Sequence, residues 1–205
     1  MIVFLAIVAL ISAIITIRAK VRGNKSLQYV FKPLTMAAII LTAFLDSSAP
    51  ISFYQQAILI GLFFSTVGDV FLINQERFFV HGLVSFLLGH LCYIAAFWTT
   101  PSLPNGIFYL IYVAFFLIVL WKHLGKLKAP VIVYAVAIAA MSWLALSRYF
   151  EANDGKTLLA FLGSISFVTS DSLLAYNKFK KPFSIAQPLI LGTYFLAQWL
   201  IALSV

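Results

Sequence analysis

The sequence predicts an all-α fold: a polytopic membrane helical bundle of eight transmembrane helices, forming one domain over residues 1–205. Three observations lead there. Hydrophobic residues make up 63% of the chain and charged residues only 10%, whereas about a quarter of a soluble domain is charged. Apolar runs long enough to cross a bilayer recur along the whole length, and mean hydropathy is +1.03. The Lys and Arg residues fall between those runs and favour alternate loops.

The first span is 1–17. Its positive charges, Arg18, Lys20, Arg22 and Lys25, follow it rather than precede it, so it reads as a retained span, not a cleaved signal. The second span, 31–45, opens through Lys32 and Pro33, and a proline suits a first helical turn. After a turn at 46–52, residues 53–73 form the third span. The polar link 74–77 leads into the fourth, 78–98. A turn at 99–105 with two prolines precedes the fifth, 106–121. The loop 122–129 joins it to the sixth, 130–147. A polar loop, 148–156, leads to the seventh, 157–176, and the eighth is 184–205.

Loop charge supports this count. The odd-numbered loops and their flanks hold twelve basic residues: Arg18, Lys20, Arg22, Lys25, Lys32, Arg77, Lys122, Lys126, Lys128, Lys178, Lys180 and Lys181. The even-numbered loops hold two, Arg148 and Lys156. The positive-inside rule then puts the odd loops in the cytoplasm and both termini outside, as in a bacterial cytoplasmic (inner) membrane. The net charge of +8 is thereby explained by topology and anionic headgroups, and no nucleic-acid partner is expected. The single Cys92 allows no intramolecular disulfide and reads as a packing residue.

A parallel 4+4 repeat is visible. Aligning Asp69 with Asp171 superposes Gly61 on Gly163, Gly68 on Ser170 and Leu72 on Leu174, and Lys32-Pro33 matches Lys128-Ala129-Pro130. Its axis would run along the membrane normal.

Chemistry concentrates on those two acids. A carboxylate within a membrane helix costs roughly 2.5–3.5 kcal/mol on insertion scales, so it is rarely there without a role. Both acids sit about five or six residues before the cytoplasmic end of their helices, hence at one depth of about 8 Å. Small residues flank them: Ser65 and Gly68, Ser170 and Ser172. Helical spacing puts Phe79, Leu83, Phe86, His90, Tyr93 and Phe97 on one face of the fourth span, and Gln187, Leu191, Tyr194 and Gln198 on one face of the eighth. Lys32 and Tyr134 come in from the cytoplasmic ends of their spans. These groups are expected to line one cytoplasm-facing cavity, with His90 and Gln198 deeper.

Blander readings stand beside these. Each acid is satisfied structurally by a neighbouring helix or by Lys32; His90 is a hydrogen-bonded packing residue; Tyr93, Tyr134 and Tyr194 are packing tyrosines. His81 and His123 read as interfacial, and Asp46, Glu76, Glu151 and Asp154 as solvated loop acids. Three scattered histidines and one cysteine give no metal-ligand cluster, and no phosphate loop or nucleophile elbow appears, so neither metal nor cofactor is expected.

The stretches FSTVGDVFL, FFVHGLVSFLLGHLCYIAAF, GSISFVTSDSLLAYNKF and LGTYFLAQWLIALSV resemble the YhhN-like family, whose animal members are lysoplasmalogenases. Lys32-Pro33-Leu34-Thr35 and residues 130–134 fit it too, so the resemblance covers nearly the whole chain. It implies an eight-span membrane enzyme that hydrolyses the vinyl ether of lysoplasmalogens to a fatty aldehyde and a glycerophospho-base. The family's two acids map onto Asp69 and Asp171. On that reading the substrate is a lysophospholipid-like molecule met in the membrane. The pair works as acid and base, Lys32 holds the lipid phosphate, and Tyr194 and Gln198 orient water or the ether oxygen. The rivals are a proton-coupled transporter, which also wants buried acids, and a non-catalytic membrane scaffold.

Overall fold

In a lipid solvent every backbone polar group must be satisfied within the chain, which leaves helices as the economical solution for these apolar runs. The computed structural model describes residues 1–45 and 50–205, and the reading of Asp46 as a solvated loop acid lies outside the described residues. Eight helices long and apolar enough to cross a membrane are present among them. They are α1 (Ile2–Val21), α2 (Lys25–Leu45), α3 (Phe53–Ile73), α4 (Gln75–Ala96), α5 (Leu103–Leu120), α6 (Lys128–Ala152), α7 (Gly155–Ala175) and α8 (Ala186–Leu203). Two 3₁₀ turns, Trp121–His123 and Gly125–Leu127, join α5 to α6, and a π-helical turn, Tyr176–Lys180, ends α7.

The eight-span expectation holds, but the helices run further into the polar segments than hydropathy indicates. Nothing in Arg18–Val21 breaks a helix, so α1 continues until Gly23, which takes the left-handed conformation (φ +69°) that glycine adopts cheaply. Asn24 then caps α2, its side chain accepting the Leu27 N–H at 3.1 Å. With α2 starting at Lys25, Pro33 lies inside the helix rather than in its first turn, and Lys32 is carried about two turns in. Similarly, α6 absorbs Arg148–Ala152, and Glu151 is helical; the helix ends at Asn153 (φ 49°). Asp154 caps α7 in a reciprocal capping box with Thr157. The Thr157 N–H holds the Asp154 carboxyl below the usual carboxylate range. Helix α4 begins at Gln75 and kinks at Phe78 (φ −117°, ψ 21°), where the sequence put its start.

The closest pairings are α3 with α4, α7 with α8, and α1 with α2; α2 also packs on α3 and α8, and α6 on α7 and α4. Glycines set the α3–α4 spacing. A Cβ at Gly61 would stand 2.3 Å from the Tyr93 ring, one at Gly68 2.8 Å from Phe86, and one at Gly89 3.1 Å from the Gly61 carbonyl oxygen. Small residues that let two helices approach this closely take over the role that the hydrophobic effect plays in water. That approach brings the acid-bearing stretch of α3 against the aromatic face of α4. Helix α5 is peripheral, packed on α6 with most of its apolar side chains facing outward.

Candidate active site

Asp69 is 1% exposed at the meeting of three helices. Its Oδ1 lies 2.8 Å from Lys32 Nζ of α2, and its Oδ2 accepts the Tyr194 hydroxyl of α8 at 2.8 Å. Lys32 also donates to the Asp69 carbonyl oxygen at 3.4 Å. This is the one ion pair among the described residues.

Asp171 of α7 has different company. Its Oδ2 accepts the Tyr134 hydroxyl of α6, and no cation pairs with it among the described residues. It is half-buried where Asp69 is closed off. On either side of it, Ser170 donates to the Ile190 carbonyl at 2.9 Å and fastens α7 to α8, while Ser172 meets the Tyr112 hydroxyl at 2.7 Å and ties α7 to α5.

The two acids share one cleft. It is lined also by Lys20, Lys32, Gln75, Gln187, Ser170 and Tyr194. A second cavity adjoins it, walled by apolar side chains such as Phe79, Phe116, Val131, Ile138 and Phe179. Tyr134, Asp171 and Ser172 are its polar members in α6 and α7, and Leu72, Phe86, Asp171 and Leu174 line both spaces. Asp171 therefore stands at the seam between a polar cleft and an apolar slot.

Several expectations need correction. Lys32 is not at the rim: the early start of α2 buries it to 6% exposure and its ammonium is already engaged by Asp69. His90, Tyr93 and Gln198 line neither cavity but lie in the core. Tyr93 donates to Gln198 Oε1 at 2.7 Å, its ring held against Gly61. His90 is wedged between Tyr134 and Phe167, with ring centroids 5.0 and 4.7 Å away, and neither ring nitrogen has a hydrogen-bond partner among the described residues. Its contacts are aromatic rings, and the hydrogen bond that the packing reading expects is missing among the described residues. His90→Phe is expected to keep turnover within about twofold and to raise thermal stability, because the ring contacts survive and a buried polar group without a partner is removed (about 1–3 kcal/mol). A melting curve with an activity assay checks this, and loss of turnover with retained folding would restore His90 to the chemistry.

Sequence reasoning passed over Lys20, Gln75 and Tyr112. Lys20 was absorbed into the loop-charge count because hydropathy ends the first span at residue 17. The signal available was the unbroken helix-forming run up to Gly23.

Comparison with known proteins adds the following. A family model described as the YhhN family matches residues 27–205. The chain is 39% identical over 153 residues to human lysoplasmalogenase TMEM86A, covering 72% of this chain and 64% of that protein. Against human lysoplasmalogenase TMEM86B it is 34% identical over 172 residues, covering 82% and 72% respectively. An uncharacterized membrane protein YhhN of Escherichia coli O157:H7 is 26% identical over 199 residues, covering 95% and 94%. The match thus spans less than two thirds of the TMEM86A length. No solved structure matches.

Proposed function

The chain belongs to the YhhN family, and from that premise we propose that it is a membrane-embedded hydrolase that cleaves the vinyl ether bond of lysoplasmalogens. The observation that carries the proposal is the position of Asp171. A lysoplasmalogen is apolar on one side of its vinyl ether and polar on the other; Asp171 stands between an apolar slot and a polar cleft that also holds Asp69. Lying in the slot, the alkenyl chain would set its first two carbons beside this carboxyl. Helices α3 and α7 run unbroken through both acids, unlike the interrupted helices that transporters use at ion sites.

The counter-charges support a division of roles. Asp69, with an ammonium on one oxygen and a hydroxyl on the other, is the carboxylate; Asp171, with only a phenol, is the carboxylic acid. Asp171 gives its proton to carbon 2 of the alkenyl chain, and the electron pair of the double bond forms the new C–H bond. The resulting oxocarbenium ion is stabilised by the Asp69 charge in a low-dielectric site. Water attacks carbon 1 as Asp69 takes its proton, giving a hemiacetal. Collapse breaks the bond from carbon 1 to the glycerol oxygen. That oxygen takes the proton from Asp69, the hemiacetal hydroxyl returns its proton to Asp171, and both acids are reset. Paired carboxyls divide the work of glycoside hydrolysis through a similar cation.

Orientation follows from loop charge. The cleft faces the end of the bundle that carries twelve of the 14 basic residues, which is the cytoplasmic leaflet by the positive-inside rule, with both termini outside a bacterial cytoplasmic membrane. A reporter active only in the cytoplasm, fused after Val205, should be silent; a signal would invert the topology. The 4+4 repeat belongs to the same reading, for α2–α3, α3–α4 and α8–α2 have counterparts in α6–α7, α7–α8 and α4–α6.

The direct test is incubation of the purified protein with a lysoplasmenyl lipid and with its acyl-ester analogue. Free aldehyde should appear from the first and no fatty acid from the second. Absence of aldehyde from folded protein would refute the activity.

A further inference from the structure

The cleft that holds the acids carries one positive charge more than its carboxylates engage. Lys32 is committed to Asp69 at 2.8 Å, and this is the one ion pair among the described residues. Lys20, in the last turn of α1, lines the same cleft, half-buried and facing the like charges of Lys25 and Lys32. Desolvating an ammonium among other ammoniums is unfavourable unless an anion joins them. Gln75 from α4 and Gln187 from α8 bring amide groups to the same walls. A cation that shares a cleft with amide groups suits a singly charged oxyanion such as a phosphodiester. Lys20 lines the polar cleft and not the apolar slot, whereas Asp171 lines both.

We propose that Lys20 binds the phosphate of the lipid headgroup, the role that burial denies Lys32, and thereby selects phosphorylated lipids over neutral alkenylglycerols. The proposal rests on the reading of the cleft as the site of an amphipathic lipid. It adds a specificity residue that acts on binding and not on the proton transfers.

The test uses the full chain in nanodiscs, as wild type, Lys20→Met and Lys20→Arg. Two non-hydrolysable probes are titrated, a 1-O-alkyl lysophosphatidylcholine and the matching 1-O-alkylglycerol. Lys20→Met should weaken binding of the phosphorylated probe about tenfold, as loss of one charge-assisted hydrogen bond would. Binding of the alkylglycerol should be unchanged, and Lys20→Arg should retain most of the affinity. With hydrolysable lipids the same variant should raise KM for the phospholipid and leave kcat within about twofold. Equal weakening of both probes, no weakening of either, or a loss confined to kcat would overturn the assignment. If Lys20→Met weakens only the phosphorylated probe but wild type releases no aldehyde from a vinyl ether, the phosphate site stands and the hydrolase reading fails. If aldehyde is released while Lys20→Met discriminates no differently, the reverse holds.

Discussion

Asp171→Asn is expected to reduce turnover of a lysoplasmenyl lipid by roughly 10²–10⁴-fold, and Asp69→Asn by a similar factor, with the protein still folded. Asparagine preserves shape and keeps an oxygen to accept the Tyr134 or Tyr194 hydroxyl. It can neither deliver a carboxyl proton to carbon nor carry the charge that stabilises an oxocarbenium ion. The double variant should be little worse than either single one, because groups that act in one transition state lose their effect together. Steady-state rates on detergent-purified variants, beside melting curves, are the measurement. A single variant that keeps about half its activity would remove the two-carboxyl mechanism and leave the acids a structural role.

Lys32→Met should give the largest loss of stability. Asp69 is 1% exposed, and its ammonium partner is the side chain removed. Truncating one member of a buried ion pair strands the other, at a cost of about 3–5 kcal/mol. In the proposed mechanism the charge on Asp69 is sustained by that ammonium, so turnover should fall along with stability. Adding Asp69→Asn to Lys32→Met removes the stranded charge and should recover much of the lost stability while turnover stays near zero. Thermal unfolding of the two singles and the double separates these effects. If Lys32→Met instead keeps its melting temperature and kcat and only raises KM, Lys32 is a headgroup ligand after all.

That revision of Lys32 shows where the sequence was legible and where it was not. Eight apolar runs and an alternating loop charge were enough for the helix count, and α3 falls on its expected bounds, 53–73, since Ser52 caps it and Asn74 ends it. The acids stood out because a carboxyl in an apolar run is costly. Depth was harder. Lys32-Pro33 looks like the opening of a span, since hydropathy rises there and proline suits a first turn. The preceding Lys25–Val30 is polar enough to be read as loop, yet it contains no breaker and folds as helix, carrying Lys32 inward to Asp69. Which way His90 and Gln198 point was equally hidden. In a bundle that meets lipid outside and apolar side chains inside, both faces of a helix are hydrophobic, and periodicity marks the core only weakly. Partner choice in such a bundle is instead written in the glycines, and Gly61, Gly68 and Gly89 turn the His90–Tyr93 face of α4 onto α3 and the core behind the cleft.

The proton that the proposed mechanism draws from Asp171 can be followed directly. When the purified protein hydrolyses a lysoplasmenyl lipid in D₂O and the aldehyde is trapped at once by reduction, mass spectrometry should find one deuterium, at carbon 2 of the chain. Wild type should be slower in D₂O, and Asp171→Asn should form almost no labelled product. Aldehyde released by wild type without deuterium at carbon 2, or at an undiminished rate by Asp171→Asn, would contradict protonation of the vinyl ether by this half-buried carboxyl.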